Sequence, residues 1–111
     1  MVTINLITLD SCSACHHFLS DEWNGDGGLE EILKSKGHNV VHYDISRSNR
    51  NQWGKDNPML AQYVSWFPEL IAVKDNGSVD VFASTKLNGR LKYDGVTEYN
   101  KKAVLNWLET L

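Results

Sequence analysis

Val2 to Leu9 (VTINLITL) alternates apolar and polar positions and is rich in β-branched side chains, which predicts a strand with Ile4, Leu6 or their neighbours buried. From Ala14 the period changes, because Ala14, Cys15, Phe18, Leu19 and Trp23 fall at helical spacing on one stripe. Asp10 or Ser11 is a suitable N-cap for that helix, so Cys12 is expected in its first turn and Cys15 on its buried face. Asn24 to Gly28 (NGDGG) breaks the pattern, and Leu29, Ile32 and Leu33 then predict a short helix closed by Gly37. Asn39 to Ile45 (NVVHYDI) reads as a second strand. About thirty helix-containing residues separate the two strands, which requires a crossover and makes them a parallel βαβ unit.

In the second half, Ser46 to Asp56 reads as polar and irregular. Asn57 and Pro58 supply an N-cap and a first-turn proline, and Met59, Leu60, Tyr63 and Val64 mark the buried face of a short helix. Glu69 to Lys74 and Val79 to Ser84 flank Asp75-Asn76-Gly77-Ser78, a strong hairpin signal. A second Asn-Gly lies within Thr85 to Gly95, and two readings stay open there, an added edge strand or a long loop. Ala103, Val104, Trp107, Leu108 and Leu111 predict a C-terminal helix, capped by Thr97 or Asn100. The expected class is α/β, with a central mixed four-stranded sheet flanked by helices.

The chain's 111 residues suit one domain, residues 1–111, and 41% hydrophobic with 23% charged residues is ordinary globular composition. Eleven basic against 14 acidic side chains give a net charge of −3, which argues against a nucleic-acid partner. No apolar run has the length of a membrane span, and the first ten residues lack the basic start of a leader. The chain therefore reads as a soluble, cytoplasmic monomer.

Two cysteines only, Cys12 and Cys15, are too few for a disulfide scaffold and point to redox chemistry or a metal. A thiol at a helix tip has its pKa lowered from about 8.5 toward roughly 3.5 to 7.5, which makes Cys12 the candidate nucleophile. A second thiol one turn on, Cys15, is placed to resolve the mixed disulfide.

A C-x-x-C opening the helix of a βαβ unit, followed by a helix, Pro68 and a hairpin, resembles the thioredoxin superfamily over nearly the whole chain. The short segment before Cys12 looks like glutaredoxin. Phe67-Pro68-Glu69-Leu70, Tyr93-Asp94-Gly95 and the ending Asn106-Trp107-Leu108 look more like thioredoxin and protein disulfide isomerase domains. The resemblance implies a thiol–disulfide oxidoreductase that serves cell redox homeostasis by exchanging with protein disulfides. It implies no prosthetic group, with glutathione or a thioredoxin reductase as electron donor. It also implies a cis-proline at Pro68 beside the dithiol, with the Phe67 backbone pairing to an extended substrate and Gly95 on the far side of the groove; as aromatics beside the site, Trp66 and Phe67 either line that groove or pack in the core. Ser11, Ser13, Ala14 and His16 surround the thiols and are candidates to modulate them.

Departures accompany the likeness. The strand position where thioredoxins carry a buried Asp holds Leu6, and the glutaredoxin Thr-Val-Pro run and Gly-Gly turn are missing, so glutathione binding does not carry over. Trp66 and Glu69 replace smaller residues around the proline, which suggests an unusual substrate surface. Two other chemistries fit the local spacing. Cys12, Cys15 and His16 lie at i, i+3 and i+4, as three zinc ligands on an adaptor module would, and Cys12 to His16 matches the c-type haem attachment pattern.

Overall fold

The computed structural model describes residues 2–111. Its centre is the strand β1 (Val2–Leu9), which pairs in parallel with β2 (Asn39–Ile45) and antiparallel with β3 (Glu69–Lys74). β4 (Val79–Val81) adds antiparallel to β3, so the four-stranded mixed sheet runs β2-β1-β3-β4. This is the expected thioredoxin-like α/β architecture.

Helices cover both faces of the sheet, and for that reason Ile4 to Thr8 of β1 are all buried rather than alternately so. On one face Ile4, Leu6, Leu70 and Ala72 pack with Phe18 and Trp23, and with Leu29 and Leu33 of α2 (Leu29–Ser35) and Val104 of α5 (Lys101–Glu109). On the other, Ile7, Ile45, Ile71 and Val81 pack with Leu60, Trp53, Tyr63, Val64 and Phe67. Polar Asn5 is tolerated in this core because its Nδ2 donates to the Ile71 carbonyl at 3.2 Å.

Several sequence expectations need correction. Arg50–Asp56 is not irregular but a helix, α3. Trp53 is its one large apolar side chain, packed edge-on against Tyr43 at 5.5 Å, so no periodic stripe announces it. The following helix α4 is a single turn, Pro58–Ala61, in which Leu60 is buried and Met59 exposed. Asn57 occupies its cap position without capping it, because its Nδ2 donates back to the Trp53 carbonyl at 2.9 Å.

Residues 84–93 form neither an edge strand of the main sheet nor a loop. β5 (Ser84–Leu87) and β6 (Arg90–Tyr93) make a separate two-stranded sheet, which shortens the strand expected over Val79 to Ser84. Asn88 and Gly89 turn it with φ of 52° and 77°, as a two-residue hairpin demands. Of the two proposed caps for α5, Asn100 is the one used, its Oδ1 accepting from the Ala103 N–H at 2.8 Å.

Candidate active site

β1 delivers the chain to Cys12, and the helix starts one or two residues later than expected. Cys12 has extended backbone angles (φ −101°, ψ 110°) and is itself the N-cap of α1 (Ser13–Phe18), in place of Asp10 or Ser11. Its Sγ accepts the Cys15 backbone N–H at 3.1 Å. An N–H aimed at sulfur stabilises the charged form of a thiol. The helix continues as a π-helical segment, Leu19–Trp23, which carries Trp23 into the core.

The two sulfurs have different surroundings. Cys12 is half-buried at the helix start and Cys15 is 1% exposed; the pair is joined as a disulfide with its Cα atoms 5.2 Å apart. Ser11, Ser13, Ala14 and His16 are all exposed, which removes Ala14 from the predicted buried stripe. The Ser11 hydroxyl accepts from Arg47 Nε at 2.7 Å. His16 turns its Nε2 to the Asp10 carbonyl oxygen at 3.0 Å, away from a ligand role beside the thiols. Among the described residues no group of three or more His, Cys, Asp or Glu side chains is gathered as a metal site.

The loop before β3 forms the facing wall. The Phe67–Pro68 peptide is cis, and the Phe67 carbonyl oxygen lies 3.8 Å from Cys12 Sγ. Trp66, Phe67 and Pro68 border a groove of about 490 Å³ that opens beside the disulfide, with Ala14, His17 and Phe18 of α1 on its other wall. Gly95, expected at this groove, does not line it. It sits exposed in a turn at φ +75°, and Tyr93 and Tyr99 stand in the groove instead.

Six of the groove residues are not among those the sequence singles out for the site: His17 and Phe18, Tyr93 and Tyr99, and Asp21 and Glu22 at its end. The helical repeat from Ala14 through Phe18 to Asp21 was the one signal for the acidic end; the loop that brings Tyr99 in has no periodicity to follow. Glu69 was misplaced as well. It is fully buried rather than part of a substrate surface, and neither carboxyl oxygen completes a hydrogen bond. Burial pushes its pKa up to about 9, and the backbone N–H groups of Ser65 and Leu70, which face the carboxyl without well-formed hydrogen bonds, offset this only in part.

No helix among the described residues is long and apolar enough to cross a membrane. No protein-family model matches the sequence, and no curated protein matches it. Two solved structures do resemble it. A thioredoxin from Thermus thermophilus superposes with a TM-score of 0.53 at 12% identity, covering 98% of this chain and 72% of its own. A structure described only as a malarial protein superposes with a TM-score of 0.52 at 10% identity, covering 99% and 96%. At such identities the likeness concerns the fold, and the fold is thioredoxin-like, with a C-x-x-C disulfide at the start of its first helix.

Proposed function

We infer that the protein is a thiol–disulfide oxidoreductase. The observation that carries this reading is the contrast between the two sulfurs: Cys12 accepts a backbone N–H and reaches solvent, whereas Cys15 is buried one turn behind it. In the reduced state the Cys12 thiolate attacks one sulfur of a protein disulfide. An S–S bond forms between Cys12 and the substrate, and the substrate's other sulfur leaves as a thiolate that takes up a proton.

Cys15, giving up its proton, then attacks Cys12 Sγ and expels the second substrate thiolate. Two electrons have passed to the substrate, and the Cys12–Cys15 disulfide is left. The backbone of Phe67 is suited to pair with an extended substrate, with Pro68 shaping the groove. A thiol reductant, glutathione or a thioredoxin reductase, restores the dithiol in a reducing compartment such as the cytoplasm. The chain acts as a monomer without a prosthetic group.

The test is asymmetric. Wild-type protein should reduce insulin disulfides, Cys15→Ser should accumulate mixed disulfides, and Cys12→Ser should be inactive and trap nothing. Equal trapping by both variants, or no insulin reduction by the wild type, overturns the reading.

A further inference from the structure

The groove beside the disulfide has a definite chemical character. Five aromatic residues line it, Phe18, Trp66, Phe67, Tyr93 and Tyr99, and its formally charged side chains are the carboxylates of Asp21 and Glu22. Trp66 meets Tyr93 at 6.0 Å and 67°, Tyr93 stacks on Tyr99 at 5.6 Å, and Phe18 meets Tyr99 edge-on at 6.4 Å. Aromatic faces carry negative potential, and a cation within about 6 Å of a ring centroid is attracted to it. The chain already uses this contact once, where Arg50 lies 5.1 Å over Phe67 beside a different cavity.

No cation of the described residues satisfies the two carboxylates. Glu22 accepts the Lys101 backbone N–H at 2.9 Å, while the Lys101 ammonium donates to the Gly27 carbonyl instead. Asp21 is exposed, and its Oδ1 accepts only from the Ser20 hydroxyl. His17, Tyr93 and Tyr99 are the other titratable side chains of the groove. Aromatic faces leading to carboxylates without a cationic partner complement a guanidinium or ammonium on a flexible apolar stem.

We propose that this groove selects disulfide substrates carrying an arginine or lysine two or three residues from the cysteine that Cys12 attacks, an inference that rests on the oxidoreductase reading. The spacing follows from the helix. From Ala14, beside the thiols, to Asp21 is seven residues, which at the α-helical rise would be about 10 Å and is somewhat less because the wider π-helical segment begins at Leu19; an extended peptide covers that distance in about two to three residues.

Binding is measured first, without chemistry. The oxidised full chain is titrated with short peptides in which serine stands for the cysteine and the residue two or three positions away is Arg, Leu or Glu. The Trp66 indole N–H resonance, assigned with Trp66→Phe, reports occupancy. The Arg peptides should bind at least about fivefold more tightly than the Leu peptides, with Glu weakest, and the Arg advantage should shrink as salt is raised. Asp21→Asn should reduce the ratio of Arg to Leu affinity, and Asp21→Lys should invert it.

Equal binding of Arg and Leu peptides, or a ratio unchanged in Asp21→Lys, overturns the proposal whatever the redox activity. The same peptides made as disulfides are then assayed for kcat/KM, where the Arg preference should reappear. Turnover without that preference also overturns the proposal and leaves the oxidoreductase reading intact. No turnover of any peptide, with the binding preference present, overturns the oxidoreductase reading but supports cation recognition by the groove.

Discussion

Glu69 stands directly opposite Ile7 in the β1–β3 ladder, so a fully buried acid whose carboxyl completes no well-formed hydrogen bond is fixed to the central strand of the molecule. The folded protein holds the Glu69 proton up to about pH 9, while the unfolded chain releases it near the ordinary glutamate value. Below both values the group has no effect. Between them the unfolded chain loses a proton that the folded chain keeps, so stability falls as pH rises, by about 1.4 kcal/mol per unit. Glu69→Gln removes this slope. Denaturant unfolding from pH 5 to 8 should show the variant gaining on the wild type with each unit, and a difference that stays constant with pH would contradict a buried, protonated Glu69.

The unequal burial of the two sulfurs predicts unequal alkylation after reduction. Iodoacetamide under native conditions should modify Cys12 at least tenfold faster than Cys15, which is 1% exposed. In denaturant the two rates should converge. Peptide mapping by mass spectrometry reads both, and comparable native rates would remove the assigned division of labour between nucleophile and resolver.

The parts of this fold readable in the sequence are those that carry a local signature, a β-branched run, a turn dipeptide or an apolar stripe. β1, β2, the hairpin at Asn76-Gly77 and the stripe of α5 are of this kind. Helix α3 was illegible because it contributes Trp53 alone to the core, and its remaining side chains carry no pattern. At the site, Cys12, Cys15, Phe67 and Pro68 are joined by local spacing and one loop. Tyr93 and Tyr99 reach the groove from a hairpin and a loop whose placement depends on tertiary packing. The cap shift from Asp10 or Ser11 to Cys12 has a similar cause, since sulfur is not among the usual capping atoms.

Gly28 is required for space. Its backbone is ordinary (φ −74°), yet a Cβ there would lie 2.4 Å from the Trp23 carbonyl oxygen and 2.6 Å from that of Asn24. Those are backbone atoms where the π-helical segment ends, and they cannot swing aside. Gly28→Ala should therefore cost more than about 2 kcal/mol, as overpacking does. Gly37→Ala is the control, with open space but φ of +88°, and should cost about 1 kcal/mol. Chemical denaturation ranks the two, and a Gly28→Ala protein as stable as the wild type would contradict the close approach.

The start of α5 is held from two directions, by its own cap at Asn100 and by the Glu22 carboxylate, which accepts the Lys101 N–H at 2.9 Å. Both satisfy N–H groups that the first turn of a helix leaves unpaired. Asn100→Ala should cost about 1 kcal/mol, lowering Tm by roughly 4 °C for a chain of this size. Glu22→Ala should cost a similar amount but also loosen the end of the π-helical segment against α5, because its bond spans 79 residues of sequence. Adjacent N–H groups at one helix end share the same fraying equilibrium, so the double variant should lose less than the sum of the two. Thermal unfolding of the two single variants and the double variant measures that coupling, and strict additivity would show that the two contacts act independently.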